Sequence, residues 1–382
     1  MGYPLVRVTH QADDYPTRRT ELHVRDKTVL SPRRSLCLTR DFWSEARRIQ
    51  KNNLPGIVEV PRDFTKERLN RIDGDAEKQD EFAANITNQI LKVDYSNVVT
   101  MFVFTFDSRV NGVASLPTVQ ETRYLANLVS APNNDLILPP LVPDLPTNLY
   151  VEFLKRFFEE LQSYRSAGRA VGLIPKASGI EFQSVVNLYA NKGIRFFALN
   201  LKGKHPVGSY PRVNDALRFV TELERESRES CFLHALNVPN LRALDKIAVA
   251  PAKDMTAFQM GFDGFGSTHV RFKKFFPEMA DYDPERNLRA LNRTDYGYHK
   301  LKEPGIERTL REEIDTDFPI DDVLAARGKD KRTKTKLFNI ERQGLEANQT
   351  QVNTIEGTLT SYYESKEYVR EYLPKFRKLK RG

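Results

Sequence analysis

A parallel α/β fold, closed as a (β/α)₈ TIM-like barrel and followed by a helical, basic C-terminal extension, is the architecture this sequence predicts. Three observations lead there. Short runs of continuous apolar, β-branched and aromatic residues recur along the middle of the chain. Amphipathic helical segments separate them, and polar or charged residues stand at or just past their ends. Continuous apolar strands suit a sheet buried on both faces, and βαβ alternation gives parallel order. An open doubly wound sheet is the other arrangement of the same units, but no G-x-G-x-x-G opens a helix after an early strand. In a closed barrel the carboxyl ends of all strands converge on one face, where active sites sit. Strand-end polar residues therefore favour the barrel, although each could also merely end a strand and cap the next helix.

In chain order, residues 1–55 hold a hairpin, LHVRDKTVL with SLCLT, and a helix-like DFWSEARRIQKN. IVEV (57–60) is the first short apolar strand, and a helix follows with apolar spacing at Phe82, Ile86 and Ile90. The regular series then comprises NVVTMFVFTF (97–106), LILPPLV (136–142), AVGLIP (170–175), GIRFFALNL (193–201), CFLHALNV (231–238) and AFQMGFDGF (257–265). Between them lie TNLYVEFLKRFFEELQSYRSAG, EFQSVVNLYANKG and NDALRFVTELERESRES, the first two closing on a glycine suited to a left-handed cap. Three regions result: 1–55 leading in, 56–280 as the barrel, and 281–382 as an extension. Within the last, RNLRALNRTDYGYHK and GKDKRTKTK (328–336) read as surface or linker, and Val352, Ile355, Leu359 and Tyr363 mark a helix face.

With 382 residues and 40% hydrophobic content the chain can bury a substantial core. No apolar stretch is long enough for a membrane helix, and the N-terminus lacks the order of a secretory signal, which predicts a soluble, cytoplasmic protein. Two cysteines give no disulfide framework, and six scattered histidines give no metal motif. No Walker-type phosphate loop and no G-x-S-x-G elbow occurs, and no cofactor is implied. A net charge of +8 and a pI near 9.2 suit a polyanionic partner. Carboxylates with amide, lysine and histidine partners at strand ends suit acid/base and nucleophilic chemistry at a sugar carbon.

Several segments, in order, resemble the tRNA-guanine transglycosylases and their DNA-modifying relatives. They are VLSPRRSLCLT (29–39), Asp107-Ser108 after a strand, VPDLP (142–146), GLIP (172–175), ALNLKG (198–203), FLHALNVPN (232–240) and MGFDGFGS (260–267). The similarity spans residues 20 to 270, and order and spacing carry it. It implies a barrel that flips a guanine into its cleft, exchanges it through a covalent Asp–ribose intermediate, and installs a 7-deazaguanine base. Asp107 would then be the acid/base and Asp144 would accept from the guanine edge, with Ser108, Lys202, His234 and Asn237 lining the cleft. His269 and Arg271 would contact phosphate. The tyrosines and Lys375, Arg377 and Lys378 of the tail could stack on bases and neutralise backbone charge.

The chain also departs from that pattern. Gly266 falls where the nucleophilic aspartate belongs, leaving Asp263 as the nearby carboxylate and the catalytic partner expected for Asp107. Arg109-Val110 replace two glycines, Pro175 replaces a glutamine, and the late zinc cysteines are missing. DNA is favoured over tRNA, because no appended RNA-binding module is evident. The alternatives are a barrel of the same family that binds nucleic acid or a partner without catalysis, and a metabolic barrel enzyme for a small phosphorylated compound.

Overall fold

The computed structural model describes residues 4–381 except 39–55, 92–97, 132–133, 177, 240–246, 270–286, 304, 312–315 and 317. It is a mixed α/β structure with two parallel sheets. One sheet orders its strands Leu136–Ile137, Val99–Asp107, Ile57–Thr65 and Leu36–Cys37. The other runs Gly172–Leu173, Phe196–Asn200, Phe232–Val238, Gly264–Ser267 and Arg33–Arg34. At one margin the sheets are joined by a parallel bridge between Ile137 and Ala170. At the other they share the run 33–37: Arg33 and Arg34 pair with Gly264 and Phe265, while Leu36 and Cys37 pair with Val58 and Glu59.

The Val99–Asp107 strand, VTMFVFTFD, is buried along nearly its whole length, as a strand covered on both faces must be. Its neighbours follow the same rule, and helices supply the cover. Thr147–Ser163 turns Tyr150, Phe153, Leu154, Phe157, Phe158 and Leu161 inward, the three-to-four spacing of one helix face. Thr118 caps Val119–Ser130 by a reciprocal capping box with Glu121. Gly193, at φ +63°, ends the Gly179–Asn191 helix in the left-handed conformation expected of it. The same role assigned to Gly168 belongs instead to Arg165, at φ +51°, because that helix stops at Ser163.

Other expectations are corrected. The LHVRDKTVL hairpin forms, as Arg18–Val24 with Lys27–Leu30, but its third strand is Leu5–Gln11, and Leu36–Cys37 joins a parallel sheet instead. DFWSEARRIQKN lies outside the described residues. Phe82 packs edge-on against Phe64 from the Ala76–Leu91 helix. Within the segment expected as surface or linker, Arg289–Asn292 and Gly297–Lys300 form a largely buried β-hairpin, which also pairs with Val249–Pro251. GKDKRTKTK lies largely at the surface as expected, but as the opening turns of a 29-residue helix, Gly328–Glu356, rather than as a linker. On that helix Val352 and Ile355 are 42% and 47% exposed, and the buried face begins at Thr335 and Leu337. Gln351 donates to the carbonyls of Leu30 and Pro32, and Gln343 accepts from Arg34 Nε at 2.5 Å, so the extension is packed onto the run 30–35. No helix among the described residues is long and apolar enough to cross a membrane.

Candidate functional site

Asp107 is the last residue of its strand, and its side chain is 33% exposed. Arg109 grips it in a fork, Nε to Oδ1 at 2.8 Å and the terminal nitrogen to Oδ2 at 2.6 Å. Beyond it, Asn111 and Gly112, at φ +50° and +81°, close a small hairpin of Arg109–Val110 with Val113–Ala114. Ser108 is buried, its hydroxyl without a hydrogen-bond partner, while its carbonyl accepts from Ser115 at 2.8 Å. The next parallel segment comes alongside through a Thr105–Leu141 bridge and the Leu141 N–H to Phe104 carbonyl bond at 2.7 Å. Three residues on, exposed Asp144 adopts φ +60°, a left-handed conformation that aspartate tolerates. The hydrogen-bonded Asp107 carboxylate, with Asp144 acting at longer range, raises the Arg109 guanidinium pKa. Sequence reasoning placed Asp107 and Asp144 together, and the structure does bring them to one place.

The other expected residues separate into three environments. Asn237, buried at φ +58°, donates to Asn200 Oδ1 at 3.0 Å and accepts from the His269 N–H at 2.7 Å, so it ties strand ends together rather than facing a cleft. Lys202, exposed at φ +52°, donates its backbone N–H to the same Asn200 Oδ1 at 2.9 Å and lines a cavity between helices and strand ends. His234 and His269 point into a third environment, which is fully enclosed.

There, Glu59 of the IVEV strand is completely buried. Its Oε1 lies 2.6 Å from His234 Nε2 and its Oε2 lies 2.5 Å from His269 Nε2. His269 Nδ1 is 3.3 Å from Cys37 Sγ. Burial pushes the Glu59 pKa upward, but the His269 charge and the bonds from both histidines overcome it and hold it down to about 2. Burial likewise opposes the His269 charge, yet Cys37 and Glu59 hold that pKa up to about 10. A glutamate and an imidazolium therefore persist here as a charged pair. Thiol, imidazole and carboxylate stand in the order of an activated nucleophile, but all three are buried and the group acts as an internal clamp. Gly266 explains why it fits: a Cβ at that position would lie 1.8 Å from Glu59 Oε1. Sequence reasoning missed Glu59, although a carboxylate inside an apolar strand was its visible signal, since buried charge demands a partner. His269, expected to meet phosphate, is instead interior.

Asp263 is corrected too. It precedes the Gly264–Ser267 strand instead of ending one, next to Leu233 near the amino end of the adjacent strand. Its Oδ2 accepts from the Leu233 N–H at 2.7 Å and from Arg381 at 2.6 Å. Its Oδ1 accepts from Ser31 at 3.3 Å and faces Arg18 Nε at 3.6 Å. Only 1% exposed and saturated with partners, it is a structural anchor and far from Asp107 in role and strand end. Of the tail cations, Lys375 and Lys378 are exposed, and Arg377 is paired with Glu364 at 2.5 Å and lies over the Tyr15 ring. Tyr363 is buried edge-on against Tyr15, which removes it from any stacking role. Arg271 lies outside the described residues. Among the described residues no group of histidine, cysteine, aspartate and glutamate could hold a metal ion. No protein-family model matches the chain, and no curated protein matches it.

Proposed function

We propose that the eight parallel segments close into a (β/α)₈ barrel that works on a guanine of nucleic acid, DNA before tRNA, as a transglycosylase-like protein. Closure is supported by the shared run 33–37 at one margin of the sheets and the Ile137–Ala170 bridge at the other. The observation that carries the function is the pairing of two solvent-facing carboxylates, Asp107 and Asp144, around Arg109 at neighbouring strand ends. A carboxylate can accept from both N1–H and the exocyclic amine of guanine, the part assigned to Asp144. With Asp263 sequestered and Gly266 lacking a side chain, the covalent step falls to Asp107. Its oxygen bonds to C1′ as the C1′–N9 bond breaks, the electron pair leaves on the departing base, and that base takes a proton from solvent. An incoming 7-deazaguanine, losing its ring N–H proton, then displaces the aspartate. The net charge of +8 favours the polyanion.

A second reading is a barrel that binds nucleic acid without exchanging a base. The grip of Arg109 on Asp107 and the filling of the Gly266 site by Glu59 favour it. The deciding experiment supplies a 7-deazaguanine to protein with labelled guanine in duplex DNA, single-stranded DNA or tRNA. Release of label from one polymer, lost in Asp107→Asn and reduced in Asp144→Asn, is the expected result. Salt-sensitive binding with no release from any polymer would replace it with the non-catalytic reading.

A further inference from the structure

The cavity that Lys202 lines measures about 350 Å³ and lies between the Gly179–Asn191 and Tyr210–Ser227 helices. Its floor is the carboxyl ends of the Gly172–Leu173 and Phe196–Asn200 strands. That is the size of a small-molecule site. Asn200 turns toward Asn237, so Leu199 and Leu201 face the other way, into this helix-covered space. The wall is largely apolar, with Phe182 and Phe219 meeting edge-to-face at 5.4 Å between ring centroids.

Its charge is one-sided. Lys176, Lys202 and Lys204 stand exposed at the rim and Arg212 reaches in from the helix, against one lining carboxylate, Asp215. Arg212 forms no ion pair among the described residues, and its Nε is buried without a hydrogen-bond partner. Burial lowers its pKa, and the only opposing influence is the Tyr150 hydroxyl. The fully buried guanidiniums of Arg18 and Arg381, by contrast, are matched to Glu224 and Asp263. An unmatched, partly buried guanidinium is costly unless an anion completes it. Four cations converging on one opening suit a doubly charged group better than a carboxylate, and aromatic edges suit a flat body.

From the unpaired Arg212, the three rim lysines and the aromatic wall, we infer that this cavity binds a phosphate monoester carried on a flat ring system, as in a nucleoside 5′-phosphate. The phosphate comes from a free nucleotide or from the 5′ end of a nucleic-acid strand. Neither Asp107 nor Asp144 lines this cavity, and adenosine 5′-monophosphate is the probe because its base does not offer the guanine edge proposed for Asp144.

The test is calorimetric titration of the full chain with adenosine 5′-monophosphate, adenosine and inorganic phosphate. Expected are saturable binding of the nucleotide, at least about tenfold weaker binding of adenosine, and a loss of at least about tenfold in Arg212→Met. Lys204→Met, an exposed change, provides a second variant should Arg212→Met not fold, with a smaller loss in the same direction. Asp107→Asn should bind the nucleotide normally even if base exchange is abolished. Competition by a 5′-phosphorylated oligoadenylate, but not its 5′-hydroxyl form, assigns the polymer end, and absence of competition assigns the free nucleotide. Equal affinity for nucleotide and nucleoside, no saturable nucleotide binding, or unchanged affinity in both variants would overturn the inference.

Discussion

Glu59 and His269 form a charged pair in a place where neither charge would survive alone. The pair makes stability depend on pH from two sides. His269 has a folded pKa of about 10, raised above its ordinary 6.5, so its contribution is complete below 6.5 and lost as pH rises through 10. Glu59 has a folded pKa of about 2, below its ordinary 4.5, so its contribution is complete above 4.5 and lost as pH falls through 2. The window in which both contribute fully runs between those ordinary values. Urea midpoints of the wild type and Glu59→Gln, measured from pH 6 to 10, should converge as pH rises. A gap that stays constant across that range would mean that the imidazolium is not what Glu59 stabilises. At this scale IVEV was legible only as an apolar strand, and nothing local could name the partners of Glu59, because His234 and His269 come from strands and segments more than 170 residues away.

Between elements, the Ile57–Thr65 and Gly264–Ser267 strands approach through the absence of a side chain at Gly266. The Glu59 carboxylate cannot swing aside, since both histidines hold it. Gly266→Ala should therefore destabilise by about 1–3 kcal/mol, the range for overpacking a filled core. In a Glu59→Ala background the same change should cost much less, and a double-mutant cycle reads the difference. An equal cost in both backgrounds would put the strain elsewhere. The order of strands and helices through the middle of the chain was legible because burial on both faces leaves a continuous apolar signature. The hairpin at 289–300 and the helix at 328–356 were not. Their residues are polar enough to read as surface, and the two elements dock through polar side chains that find partners, as half-buried Asn339 does with the Leu291 N–H at 2.8 Å and the Arg289 carbonyl at 2.8 Å.

Across the whole molecule, the two ends of the chain meet at Asp263. Arg18 arrives from the N-terminal hairpin and Arg381 from the C-terminal tail, which also bonds the Gly261 and Cys231 carbonyls. The tail is thus a strap, with Leu373, Phe376 and Leu379 buried along it. Arg381→Met should leave a buried carboxylate short of its closest cation and cost about 3 kcal/mol in a urea titration. A change below ~0.5 kcal/mol would show that Arg18 and the Leu233 N–H suffice. From the sequence alone came the alternation of strand and helix and the placement of Asp107 and Asp144 at or just past strand ends, since periodicity and strand termination are local properties. Tertiary structure alone decided that Asp263 is an anchor, that Glu59 fills the space before Gly266, and that Arg212 forms no ion pair among the described residues. Those depend on which side chains long-range packing brings within a few ångströms, and no local pattern encodes that distance.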